Sequence, residues 1–239
     1  MVKSKGIIKI AFIIPAYNEE TTINKVIKDL RRVFSKTKIM YEIVVIDDGS
    51  TDNTFTRAQG TKVKVIQHII NMGAGSATYT GLQYAKKSNF DIAVTLDADG
   101  QHNAKDVHKG VAIMISSNID LLIGNRLTKK SELSILKYYG NKGLSLLTFM
   151  ISGIKITDSQ SGLRIFSKNA LSNLNWKIND YGFCSEMLWR AKQNKLLVKE
   201  FPIKAIYTEY SVSKGQSNWN SITIVKSLLQ RRILEVFGE

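Results

Sequence analysis

The stretch Ile92-Ala93-Val94-Thr95-Leu96-Asp97-Ala98-Asp99-Gly100-Gln101 decides how the rest of the chain is read. A short apolar run bounded by turn residues predicts a strand buried on both faces. Two carboxylates follow at once, separated by one small residue. Such a pair can converge on a hard divalent cation, because Mg2+ and Mn2+ take oxygen ligands and share them with substrate phosphates. Gln101 can add an oxygen ligand or orient a metal-bound water. The plainer alternative is an Asp-rich turn that caps the next helix.

Strand and helix signals alternate on both sides of this stretch. Upstream, Ile7–Pro15, Tyr41–Asp47 and Lys62–Gln67 read as strands. Between and after them, Thr21–Ser35, Asp52–Gln59 and Ala74–Lys87 read as helices; the first places Ile23, Val26, Ile27, Leu30 and Phe34 at helical spacing. Downstream come a helix over Lys105–Ser117, a strand over Leu121–Gly124, a helix over Leu133–Ile154 and a short strand over Leu163–Phe166. A helix over Glu186–Lys195, a strand over Leu197–Tyr207, a polar loop over Ser211–Ser221 and a helix over Ile222–Phe237 complete the reading. This order predicts an α/β fold with a mostly parallel central sheet and helices on both faces.

Ligands of open α/β sheets bind beyond the carboxyl ends of the strands. Four polar clusters fall there: Pro15-Ala16-Tyr17-Asn18-Glu19-Glu20, Asp47-Asp48-Gly49-Ser50-Thr51-Asp52, Asp97-Ala98-Asp99 and Gly124-Asn125-Arg126. One alone is an ordinary turn; four on one edge predict a site. Asp47 and Asp48 can accept hydrogen bonds from a base or ribose, and the sequence leaves open which of them does. Gly73 and Gly75 open a helix, but Thr78 stands where a dinucleotide fingerprint needs its third glycine. That counts against a nicotinamide dehydrogenase and favours a tight turn with close backbone packing.

The chain of 239 residues carries 34 Lys and Arg against 20 Asp and Glu, a net charge of +14 that favours anionic partners. No Lys/Arg run marks a nucleic-acid arm, and no nucleic-acid partner is expected. The lone Cys184 and the scattered His68, His102 and His108 make no zinc cluster. Cys184 reads as a buried small residue, and His102 as exposed. No stretch approaches the ~20 apolar residues that cross a bilayer, and Met1–Lys9 shows no signal pattern. The expectation is a cytoplasmic protein, at most peripheral on the cytoplasmic face of the membrane, with its oligomeric state unread.

Pro15-Ala16-Tyr17-Asn18-Glu19, Asp47-Asp48-Gly49-Ser50-Thr51-Asp52, Asn71-x-Gly73 and Asp97-Ala98-Asp99 resemble glycosyltransferase family 2 and its GT-A (Rossmann-like) fold. The second-half motifs narrow the resemblance: Gly124-Asn125-Arg126, Thr157-Asp158-Ser159-Gln160-Ser161-Gly162-Leu163-Arg164, Glu186 and Ser213-Lys214-Gly215-Gln216 look like the polyprenyl-phosphate (dolichyl-phosphate) mannose and glucose synthase branch. The resemblance implies a catalytic domain over 1–220 and an amphipathic helix over 221–239, packed on the domain or at the membrane surface. It implies that Pro15, Ala16, Tyr17, Glu19 and Asp47 or Asp48 line a nucleotide pocket together with Asp97 and Ala98. Asp97, Asp99 and Gln101 would hold Mg2+ or Mn2+ with the donor diphosphate. Arg126 and Arg164 would bind phosphate, Glu186 would sit in the sugar or acceptor cleft, and Lys214 in a closing loop.

The implied reaction is inverting transfer of a hexose from GDP-mannose, UDP-glucose or a related donor to a polyprenyl phosphate. The alternative acceptor is a glycan or lipid hydroxyl of the cell envelope. An acceptor phosphate is already anionic and needs no base, whereas a hydroxyl would make Asp158 or Glu186 the candidate base. Leu144–Ile154 and Ile222–Phe237 carry apolar stripes bordered by Lys and Arg. They read either as core helices or as surfaces resting on an anionic bilayer.

Overall fold

The computed structural model describes residues 7–127, 135–204 and 206, with 135–138 described by backbone alone. Lys9–Ala16 forms β1, Met40–Asp47 β2, Lys64–Gln67 β3, Ile92–Thr95 β4, Leu121–Asn125 β5, Arg164–Ser167 β6 and Val198–Pro202 β7. The helices are α1 (Ile23–Phe34), α2 (Thr54–Gly60), α3 (Ala74–Lys87), α4 (Ala104–Ser116), α5 (Ile135–Ser152), α6 (Lys168–Asn173) and α7 (Phe183–Gln193). All seven strands join one sheet in the order β3-β2-β1-β4-β6-β5-β7.

Strand alternation sends side chains to two separate cores. Ile10, Phe12 and Ile14 pack with the buried stripe of α1 and with Val107 and Val111 of α4. Ala11, Ile13, Val44 and Ile46 pack on the other face with Ala77 and Leu82 of α3 and Met187 and Leu188 of α7. With both faces covered, the strands are near-continuous apolar runs. The reading of a mostly parallel sheet with helices on both faces therefore holds. One strand departs from it: β6 runs antiparallel to both β4 and β5. Its start, not its end, therefore lies at the site edge, and Thr95 pairs with Arg164.

Tertiary contacts moved several boundaries. The helix expected from Glu186 begins at Phe183, which puts Glu186 in its first turn. The short α6 after β6 carried too few apolar positions for a period to show. Its Ser167 cap accepts from the Ala170 N–H. The last expected strand closes at Pro202, and Tyr207, the loop 211–221 and the segment 221–239 lie outside the described residues.

Gly81 of α3 sits directly over β1, and a Cβ there would collide with the Ile13 side chain. Replacing Gly81 with Ala should lower stability by about 1–3 kcal/mol through overpacking, read as a drop in the denaturant midpoint. An unchanged midpoint would mean that the α3–β1 contact is looser than described.

Candidate active site

The loops after β1 and β2 are stitched together. Asn18 adopts a left-handed φ of 54°, which an Asn tolerates better than most residues. From there its N–H donates to Ser50 Oγ at 3.0 Å, and its Oδ1 accepts from the Thr51 N–H at 2.8 Å. The Glu19 N–H donates to Thr54 Oγ1 at 2.7 Å and the Glu20 N–H to Asp52 Oδ2 at 3.1 Å. Pro15, Ala16, Tyr17 and Glu19 are thereby brought beside Asp47 and Asp48, with Tyr17 exposed.

The adjacent aspartates behave differently. Asp48 is buried and accepts from the Met72 and Gly73 N–H groups at 3.0 and 2.8 Å, with His68 Nδ1 at 2.7 Å. It therefore pins the loop 68–73. Asp47 takes one bond from Gln67 Nε2 at 3.0 Å, and its Oδ1 is buried with no partner.

The acidic pair follows β4. A Cβ on Gly162 would fall onto the Asp97 carboxylate, so the Ser161-Gly162-Leu163 backbone forms a wall against it. His102, expected at the surface, is buried, and its Nε2 lies 3.1 Å from Asp97 Oδ2. Desolvation works against ionisation of Asp97, although its side chain keeps 49% of its surface exposed. The hydrogen bond and charge of His102, with the charges of Arg126 and Arg164, outweigh it and hold the carboxyl below its usual range. Burial and the charge of Asp97 push Asp99 up to about 6, against the Gln101 N–H that donates to its Oδ1 at 2.9 Å.

Such repulsion between neighbouring carboxylates is what a bound cation relieves. No group of three His, Cys, Asp or Glu able to hold a metal occurs among the described residues. Two carboxylates fit a Mg2+-type site whose remaining oxygens come from water and substrate phosphate.

Arg126, Arg164 and Glu186 are in place, but not as open ligand contacts. Arg126 grips Asp158 through Nε and Nη2 at 2.8 and 2.9 Å, and its backbone N–H donates to the same carboxylate. Asp158 itself is fully buried, with its own N–H held by Glu200. Arg164 is 2% exposed. Its Nη2 donates to Ser159 O and to Cys184 Sγ, and its guanidinium lies 5.0 Å over the Phe183 ring. It reaches the site by charge rather than by contact. Cys184 is buried as expected, but it serves as an acceptor for that guanidinium.

Glu186 is fully buried. Its Oε2 accepts from the Lys177 and Ile178 N–H groups at 3.0 and 2.8 Å, and Oε1 from Arg190. Instead of standing in a cleft, it anchors the strap 176–182. The strap packs on α3: Asn179 O accepts from the Gly75 N–H at 2.7 Å, and a Cβ at Gly73 or Gly75 would strike strap carbonyls. The two glycines thus serve close backbone packing.

Tyr181, which no motif marked, ends this strap. It keeps 47% of its surface exposed; desolvation of the phenol, then the charges of Asp97, Cys184, Asp99 and Glu19, push it up to about 12, so the ring lies within the field of the acidic pair. Lys214 lies outside the described residues.

The chain is similar to known proteins over most of its length. The UDP-N-acetylglucosamine--dolichyl-phosphate N-acetylglucosaminyltransferase of Methanococcus voltae is 39% identical over 249 residues, covering 95% of this chain and 97% of its own. The polyprenol monophosphomannose synthase of Mycolicibacterium smegmatis is 25% identical over 214 residues, covering 84% and 79%. Glucosyl-3-phosphoglycerate synthase from Mycobacterium tuberculosis, solved with Mn2+, uridine diphosphate and phosphoglyceric acid, superposes with a TM-score of 0.73 at 19% identity. That match covers 93% of this chain and 78% of the other. The family model described as glycosyl transferase family 2 matches residues 11–175, and the chain belongs to that family.

Proposed function

We propose that this glycosyltransferase moves a sugar from a nucleotide-sugar donor onto the phosphate of a polyprenyl phosphate, with inversion, at a membrane surface. The end-to-end similarity to a dolichyl-phosphate enzyme supports the acceptor class. The observation that supports it is the state of the two carboxylates that are candidate bases for a hydroxyl acceptor. Asp158 is closed by Arg126 and Glu186 by the strap, both with no exposed surface. A phosphate acceptor is an anion at neutral pH and needs neither.

Asp97 and Asp99 would hold a divalent cation, with Gln101 beside them, and that ion when bound neutralises the charge of the departing nucleoside diphosphate. The chain's own residues set the stage for this. Gly162 and His102 fix Asp97; Arg126 and Arg164 hold it ionised; the stitched loops 15–20 and 47–52 form one side of the donor pocket. The Methanococcus relative makes UDP-N-acetylglucosamine the first donor to assay, beside GDP-mannose and UDP-glucose.

Peripheral membrane contact belongs to the same reading. Among the described residues no helix is long and apolar enough to cross a membrane. One face of α5 leaves Leu146, Phe149 and Met150 exposed. Its opposite face is fixed by buried hydroxyls: Ser145 Oγ lies 3.2 Å from Ser159 Oγ, and Thr148 Oγ1 2.6 Å from Ser185 Oγ.

Purified protein incubated with each radiolabelled donor and polyprenyl phosphate should give an organic-soluble labelled lipid. Labelling of a glycan hydroxyl with no lipid product would overturn the acceptor. Chelator should reduce turnover at least ~100-fold, with recovery on adding Mn2+ or Mg2+. Gly162→Ala should displace the Asp97 carboxylate and lower kcat/KM by at least about tenfold while the melting temperature stays near wild type. A variant of full activity would show that the wall does not position the acid.

A further inference from the structure

The loop between β3 and α3 exposes three large apolar side chains in four residues. Ile69 is 100% exposed, Ile70 68% and Met72 48%. Burial of such side chains is favourable, so leaving three in water is a standing cost to the free protein. Scattered single apolar residues on a surface need no explanation, but a cluster does.

The loop is also built to stay out. The His68 N–H donates to Asp47 O at 2.8 Å, and Asp48 takes the Met72 and Gly73 N–H groups. Gly49 adopts φ +70° so that its backbone can press against Ile70; a Cβ there would lie 2.6 Å from the Ile70 carbonyl carbon. With its backbone held at both ends and from beneath, the loop has no freedom to turn the isoleucines inward.

Its place in the fold is informative. β3 is the outermost strand on one side of the sheet, three strands from β4 and its acidic pair, or about 14 Å at the usual strand spacing. Beyond the loop, across the Gly75–Asn179 hydrogen bond, the strap exposes Lys177 and Tyr181. α7 continues from the strap and packs on α5, whose exposed Leu146, Phe149 and Met150 form the second apolar outcrop, with Lys155 exposed just beyond it. Aliphatic tips, a tyrosine and lysines are the side chains that partition into a bilayer interface. The net charge of +14 complements an anionic lipid surface, to which nearby lysines are drawn.

We propose that Ile69, Ile70 and Met72 form a rigid membrane-insertion tip that, together with the exposed face of α5, seats the acidic pair over an anionic bilayer. The proposal rests on the polyprenyl-phosphate reading for its purpose, since the acceptor phosphate is then presented at the lipid surface. Its geometry is independent of that reading. Two separate apolar contacts fix orientation, whereas one alone would let the protein pivot.

The test is co-sedimentation of the full chain with vesicles of phosphatidylglycerol and phosphatidylcholine, comparing wild type with the double variant Ile69→Glu/Ile70→Glu. The variant should partition at least about tenfold more weakly. Its transfer to long-chain polyprenyl phosphate in vesicles should fall in proportion. Transfer to a short, water-soluble prenyl phosphate and affinity for UDP should be unchanged. Ile69→Trp provides a gain-side check, with stronger partition and emission quenched by brominated lipid.

Equal vesicle binding by wild type and the double variant would overturn the tip, as would wild type that does not bind vesicles. A lower oligomeric mass of the double variant in sedimentation would identify a copy–copy surface instead, and lost UDP affinity a wall of the nucleotide pocket. If wild type labels no prenyl phosphate while the double variant still loses vesicle binding, the acceptor reading fails and the tip stands.

Discussion

Two carboxylates are forced together at the end of a strand that has no freedom to move, and the surrounding structure answers that repulsion. β4 is buried on both faces and paired on both edges, so Asp97 and Asp99 cannot separate by shifting the backbone. The pair is instead split electrostatically. His102, Arg126 and Arg164 hold Asp97 ionised, and Asp99 is pushed toward neutrality. A buried guanidinium such as Arg164 is expensive on its own. Here the cost is offset in part because an anion lies within its field and Ser159 O and Cys184 Sγ accept from its Nη2, although its buried Nε has no partner.

The antiparallel β6 makes this arrangement possible. Inserted between β4 and β5, it enters the sheet at the edge where the parallel strands leave it. Arg164 and the Ser161-Gly162 backbone therefore arrive next to Asp97 rather than at the far end of the sheet. The preceding loop is clamped by Arg126 on Asp158 and by Glu200 of β7 on the Thr157 and Asp158 N–H groups. A chain of charge-assisted bonds thus ties four strands to the position of one carboxylate.

On the other flank, order is transmitted through backbone contacts. Asp48 pins the loop 68–73, Gly73 and Gly75 let the strap carbonyls approach, and Glu186 holds the strap to α7. Tyr181 is brought within the field of the acidic pair by this sequence of contacts, with no local motif of its own. α7 then packs on α5, so the strap and the exposed apolar helix belong to one packed unit.

The alternation of apolar runs with helical periods was enough for the α/β class, the covered sheet and the clustering of Pro15–Glu20, Asp47–Asp52, Asp97–Asp99 and Gly124–Arg126 at one edge. Those features follow from local period and from the rule that parallel strands end on the same side. Only the tertiary structure decided strand direction at β6, the burial of His102 and the approach of Tyr181, because each depends on partners far away in the chain. It also decided the use of Arg126, Arg164, Asp158 and Glu186. A sequence shows that a residue can ionise or coordinate; whether its lone pairs and N–H groups remain free for a ligand depends on which distant backbone and side-chain groups the fold brings against them.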